Sequence, residues 1–305
     1  MKASSPHATL PRAGLVLLVL LTVFWGFNWP VMKFTLAEIP LWSFRAVCIA
    51  GGATGLFAIA AASRFPLGVP KGQWPRLLLI AAFNITGWNL CSAYGVSLLP
   101  SGRAAIIAYT MPLWSVLLSA WLLGEPMTRR RIFGVMLGTL GILVLIGGEL
   151  GGLRAAPLGA MFMLGAALSW ALGTVCMKRY PLAMPTTVMT AWLMLIGGVP
   201  VFIGAAAFDP GSFHAYGTRA NFGVVYNVLV CFVFCYWAWF KIVEMVPVGV
   251  SALSTMMIPV VGVFSGLWVL GEVPNSNDVA ALLLVAAALA TVLIAPAAAA
   301  PEDMA

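Results

Sequence analysis

Residues 100–125 read PSGRAAIIAYTMPLWSVLLSAWLLGE, and residues 247–272 read PVGVSALSTMMIPVVGVFSGLWVLGE. The two stretches align without a gap. Pro100 pairs with Pro247, Gly102 with Gly249, Pro112 with Pro259 and Trp121 with Trp268. Each ends on Gly-Glu, as Gly124-Glu125 and Gly271-Glu272. Shared hydrophobicity does not align a mid-segment proline and a terminal Gly-Glu, so the stretch records an internal duplication. Each copy is about one bilayer long, since ~20 apolar residues rising ~1.5 Å each cross a ~30 Å hydrocarbon layer. Pro112 and Pro259 then fall near mid-membrane. A proline there deprives the carbonyl four residues back of its helical partner, here Ala108 and Thr255. A carbonyl so freed in lipid must face protein, water or a ligand. Pro112 and Pro259 therefore mark expected helix breaks.

Outward from that stretch the pattern repeats. The chain is 62% hydrophobic and 8% charged, against ~25% charged residues in soluble domains. Ten apolar segments cover roughly 13–33, 41–61, 76–96, 103–123, 132–148, 157–177, 186–207, 221–241, 249–270 and 279–296. The first runs through Trp25, Asn28 and Trp29 without a small-residue cleavage site, so it reads as a retained helix rather than a leader. Trp25 and Lys33 recur as Trp170 and Lys178. The expectation is an all-α polytopic membrane protein with ten transmembrane helices in two five-helix repeats, 13–148 and 157–296, and tails at 1–12 and 297–305. Five is odd, so the second repeat enters the membrane from the other side and the repeats are inverted.

Charge supports that orientation. With the N-terminus inside, eleven of the sixteen Lys and Arg fall on cytoplasmic loops, and Lys33, Arg45, Arg103, Arg154 and Arg219 fall outside. Both termini are then cytoplasmic. The net charge of +7 follows from this bias and calls for no nucleic acid. Cys48, Cys91, Cys176, Cys231 and Cys235 all lie within apolar segments with no histidine or carboxylate beside them, so neither a metal nor a cofactor is expected.

The ordered set of features is similar to one family. Five plus five helices, a first helix reading WGFNWPVMK from Trp25 to Lys33, and fourth and ninth helices ending in Gly-Glu resemble the EamA branch of the drug/metabolite transporter superfamily. The wealth of aromatic residues resembles its YddG-type aromatic amino-acid exporters. The resemblance implies an inner-membrane exporter of small metabolites, amino acids among them; the inverted repeat points to alternating access, and the small residues Gly134, Gly138 and Gly141 with the run from Ala280 to Ala290 fit close helix contacts in a monomer or a homodimer. Export of drugs or nucleobases is the alternative. One departure stands out: Arg45 has Thr190 at the repeat-related position.

The residues themselves narrow the chemistry. The nine acidic residues and both histidines lie in loops, tails or segment ends, so a proton relay has no mid-membrane candidate and a cationic ligand has no counter-charge. No nucleophile elbow, zinc-protease or phosphate-loop motif occurs, which argues against an enzyme. The ligand is expected to be neutral or zwitterionic. Aromatic rings suit a planar side chain, and amides suit amino or carboxylate groups. The candidate binding residues are Trp25, Asn84, Trp88, Tyr109, Met111, Trp170, Asn227 and Met256. Lys33, Lys178, Glu125 and Glu272, at span ends, are candidates for gating or interface roles. Trp121 and Trp268 read as membrane-interface anchors.

Overall fold

The computed structural model describes residues 12–124, 129–147, 156–212, 216–245 and 257–293, and every described element is helical. The helices are α1 (Arg12–Leu36), α2 (Leu41–Ala62), α3 (Trp74–Ala81), α4 (Trp88–Leu98), α5 (Ser101–Ala108), α6 (Met111–Leu123) and α7 (Arg129–Gly147). They are followed by α8 (Ala156–Arg179), α9 (Thr186–Phe208), α10 (Thr218–Val225), α11 (Tyr236–Met245), α12 (Met257–Leu270) and α13 (Ser276–Leu293). Two π-helical stretches, Ala82–Gly87 and Tyr226–Cys235, join α3 to α4 and α10 to α11.

Seven helical runs are long and apolar enough to cross a membrane: Gly14–Leu36, Leu41–Ala62, Trp74–Leu98, Ser101–Leu123, Pro157–Arg179, Thr186–Phe208 and Thr218–Trp239. The other three expected spans hold shorter apolar helices among the described residues, at Ile132–Gly141, Val260–Leu270 and Ser276–Ala288. Proline starts several of these runs. Pro40, Pro100 and Pro185 each sit in extended backbone just before a helix, where a missing N–H costs nothing.

The duplicated stretch breaks where its proline requires. α5 stops at Ala108, Tyr109 and Thr110 form a turn, and α6 begins at Met111 with Pro112 in its first turn. The Thr110 hydroxyl donates to the Ile107 carbonyl at 2.7 Å, so this carbonyl is satisfied locally at the break. Pro259 likewise lies in the first turn of α12, while any break upstream of it falls outside the described residues. The duplicated Gly-Glu also gains a cause. Gly124 and Gly271 both have φ of +69°, the left-handed conformation that closes a helix and suits glycine.

Packing pairs the helices across the chain. α2 lies along α9, α7 along α13, and α5 against α12. α1 runs along α12, and α6 runs along α8. The second π stretch packs on α2 and the first on α8 and α9. These contacts surround a small interior space.

Candidate functional site

That space is a cavity of ≈60 Å³, room for a few waters at roughly 10–15 Å³ each. α1 contributes Trp25, Asn28, Trp29 and Met32, a helical face at steps of three and four. α4 contributes Trp88, Asn89 and Ser92, and the α5–α6 break contributes Tyr109 and Met111. α2 adds Arg45, α8 adds Trp170, and the eighth span adds Cys231, Phe232 and Tyr236.

The rings form a continuous wall. Trp88 and Trp170 meet edge to face at 5.0 Å between centroids. Trp170 is 6.1 Å from Tyr236, which is 6.0 Å from Trp25 and 5.6 Å from Phe232. Trp29 and Tyr109 make a further edge contact at 6.4 Å. Such geometry is favourable between quadrupoles and leaves ring faces available to a planar guest.

Five candidates from the sequence therefore meet around one cavity: Trp25, Trp88, Tyr109, Met111 and Trp170. Asn84 and Asn227 are not in its lining. Asn84 and Trp88 would share a face on a regular α-helix, but the π stretch Ala82–Gly87 turns the backbone between them. Asn84 points at α8 instead. A Cβ added at Gly173 would fall 1.2 Å from its Oδ1, so only glycine leaves it room. The second π stretch does the same for Asn227, whose amide donates to the Gly223 carbonyl one turn back at 3.0 Å. Met256 and Glu125 lie outside the described residues.

The charged candidates sit at helix ends. The Lys33 ammonium donates to the carbonyls of Val96 and Leu99 at 2.8 and 2.7 Å, and to that of Ser97 at 3.1 Å. It thereby covers the carbonyls that α4 leaves unpaired at its end. Glu272 accepts from the Ser101 N–H and hydroxyl, at 2.9 and 2.7 Å, at the start of α5. The carboxylate complements the positive end of that helix. Asp209 does the same for α2, accepting from the Ser43 N–H at 2.9 Å. Arg103 pairs with Asp278 at 2.6 Å. Lys178 is exposed in the last turn of α8. Trp121 and Trp268 are 78% and 79% exposed.

Arg45 is the correction of most consequence. Counted by sequence among the outside charges, it is 3% exposed and lines the cavity. It stands on the fifth residue of α2, far enough inside the helix to point into the bundle. Its Nη2 donates to Ser92 Oγ at 3.0 Å and also touches Met32 Sδ. Asn28, Asn89, Ser92 and Tyr236 were also missed. The spacing of Asn28 from Trp25, and of Ser92 from Trp88, was the available signal.

A probable amino-acid metabolite efflux pump of Escherichia coli (strain K12) is 27% identical, with 84% of this chain and 87% of that protein aligned. The aromatic amino acid exporter YddG of Ancylobacter novellus is 29% identical over 47% of this chain and 50% of its own length. A crystal structure aligns with a TM-score of 0.68 at 20% identity, covering 92% of this chain and 96% of the other, a likeness of fold. The EamA-like transporter family model matches residues 12–147 and again 157–294. With its apolar helices and its matched halves, this chain is a multi-pass membrane protein that belongs to the EamA-like transporter family.

Proposed function

We propose that the chain exports small zwitterionic metabolites, aromatic amino acids foremost, across a bacterial inner membrane by alternating access. The observation that carries this reading is the cavity itself: a wall of Trp25, Trp88, Trp170, Tyr109 and Tyr236 enclosed by helices from both matched segments. Aromatic walls with few polar groups select a planar apolar side chain. The names of the two relatives, an amino-acid metabolite pump and an aromatic amino-acid exporter, point the same way.

The machine is ten spans in two inverted halves, 13–148 and 157–296, with both termini cytoplasmic. Reciprocal packing supports it: α1 on α12 has its counterpart in α8 on α6, α2–α9 and α7–α13 pair like with like, and α5 and α12 join the two spans of the duplicated stretch. The substrate sits between the halves and is exposed to each side in turn as they rock. The cavity of ≈60 Å³ is smaller than the ~300 Å³ or more of ordinary ligand pockets, so this arrangement is closed around the centre and loading parts the rings. Cysteine labelling should reach positions near Arg130 from the cytoplasm and positions near Asp209 from outside; labelling of both from one face would exclude inversion.

The substrate test is flux into proteoliposomes holding purified protein. Labelled tryptophan and phenylalanine should cross in a saturable way, faster than a nucleobase or a cationic dye. Preference for the dye or the nucleobase would contradict the reading.

A further inference from the structure

We infer that Arg45 holds the carboxylate of the substrate and that Asn28 faces its ammonium group, an inference that rests on the transport reading above. Arg45 is buried in the bundle, and its Nε has no hydrogen-bond partner among the described residues. Its guanidinium meets Ser92 Oγ, Met32 Sδ and the Phe44 ring, all of them neutral. The titratable side chains that share its cavity, the Cys231 thiol and the Tyr109 and Tyr236 phenols, carry no charge at neutral pH in their ordinary range. Among the described side chains no carboxylate joins it: Asp209, Glu272 and Asp278 are bonded elsewhere, and Glu38 is absent from the cavity lining.

A guanidinium taken out of water without an anion is costly, and the cost is relieved when an anion enters. The planar fork of donors matches a carboxylate. Asn28, on α1, lines the same cavity, and its Oδ1 is buried without a partner among the described residues. An amide oxygen accepts from an ammonium N–H. A zwitterion with an aromatic side chain satisfies the orphan donor, the orphan acceptor and the ring wall together. An aromatic amine without a carboxylate brings its positive charge toward Arg45 and leaves the guanidinium unpaired.

The test is calorimetric titration of the purified full-length protein with three ligands separately: tryptophan, indole-3-propionate, which lacks the amine, and tryptamine, which lacks the carboxylate. Wild type should bind tryptophan most tightly and tryptamine at least about tenfold more weakly, the scale of one charged hydrogen bond. Arg45→Gln should remove that preference, and Arg45→Lys should keep part of it. Asn28→Ala should narrow the gap between tryptophan and indole-3-propionate and leave the gap to tryptamine. Equal binding of tryptophan and tryptamine by wild type overturns the role of Arg45 while export of amino acids stands. Tighter binding of indole-3-propionate than tryptophan keeps Arg45, overturns Asn28 and makes the carboxylate that of an organic acid. Binding of none of the three overturns both this inference and the transport reading. Should Arg45→Gln fail to fold, the ranking in wild type and Asn28→Ala decides.

Discussion

Arg45 and Thr190 occupy the same step of the duplication, one in the second span and one in the seventh. Both are buried, at 3% and 1% exposure. Arg45 turns its guanidinium to the cavity, whereas the Thr190 hydroxyl closes on the Thr186 carbonyl of its own helix at 2.9 Å. The same asymmetry runs through the lining. Asn28 corresponds to Gly173, Trp88 to Cys235 and Tyr109 to Met256, and Trp25 with Trp170 is a pair that both halves keep. Both halves supply rings and a phenol, but the charge and the amides come from the first half alone among the described residues. Lipid imposes span length, helix caps and satisfied breaks on both halves alike. Nothing imposes a second guanidinium, and on the proposed reading a substrate with one carboxylate needs one partner. Duplication explains the frame, and departure from it marks the site.

The two halves should differ most at Arg45. Arg45→Thr, which gives the first half the residue of the second, should lower tryptophan flux by roughly tenfold or more, the loss of a charged hydrogen bond of ~1.5–3 kcal/mol. Thr190→Val, which removes a bond internal to one helix, should change initial rates by less than about twofold. Equal losses at both positions would mean that the asymmetry is structural only.

The ring wall comes next. Trp88→Ala or Trp170→Ala removes a stacking partner worth ~0.5–1.5 kcal/mol beyond area burial, a weakening of roughly 2- to 10-fold. Trp121→Ala, at a position 78% exposed, should cost less flux at matched amounts of monodisperse protein. A severe loss at Trp121 with normal flux in both cavity variants would reverse the assignment of helix faces.

The smallest expected effect compares two caps. Glu272 accepts from two donors on Ser101 as well as from the Gly102 N–H, and Asp209 accepts from the Ser43 N–H. Loss of a helix cap costs ~0.5–2 kcal/mol. Glu272→Ala should therefore lower the melting temperature in detergent more than Asp209→Ala does. The reverse order would show that the α5 cap is not the stronger tie.

Much of this was legible in the sequence because lipid makes few demands and makes them plainly. Apolar length located helices, the shared Pro112 and Pro259 located a break, and the repeated Gly-Glu marked helix ends that the structure closes at φ of +69°. Mid-span position singled out Trp25, Trp88, Tyr109, Met111 and Trp170, which line one cavity. What stayed hidden has physical causes. A π stretch leaves no clear hydrophobic signature, yet it turned Asn84 and Asn227 away from the faces that a 3.6-residue period assigns them. Arg45 lies five residues into its helix, where a charge count reads a loop residue and only packing reveals a buried one. Tyr236 follows Cys235 by one residue, and its ring contacts with Trp25 and Trp170 depend on three separate helices.

A carrier that closes around its substrate in turn from each side supports counterflow, which a pore does not. Sealed proteoliposomes loaded with unlabelled tryptophan are diluted into labelled tryptophan, with and without a protonophore. A carrier with no acidic or histidine side chain in its cavity lining among the described residues should accumulate label transiently above the outside concentration, equally in both conditions. Label that only equilibrates, at the same rate in loaded and empty vesicles, would contradict alternating access; accumulation abolished by the protonophore would contradict the absence of a proton relay.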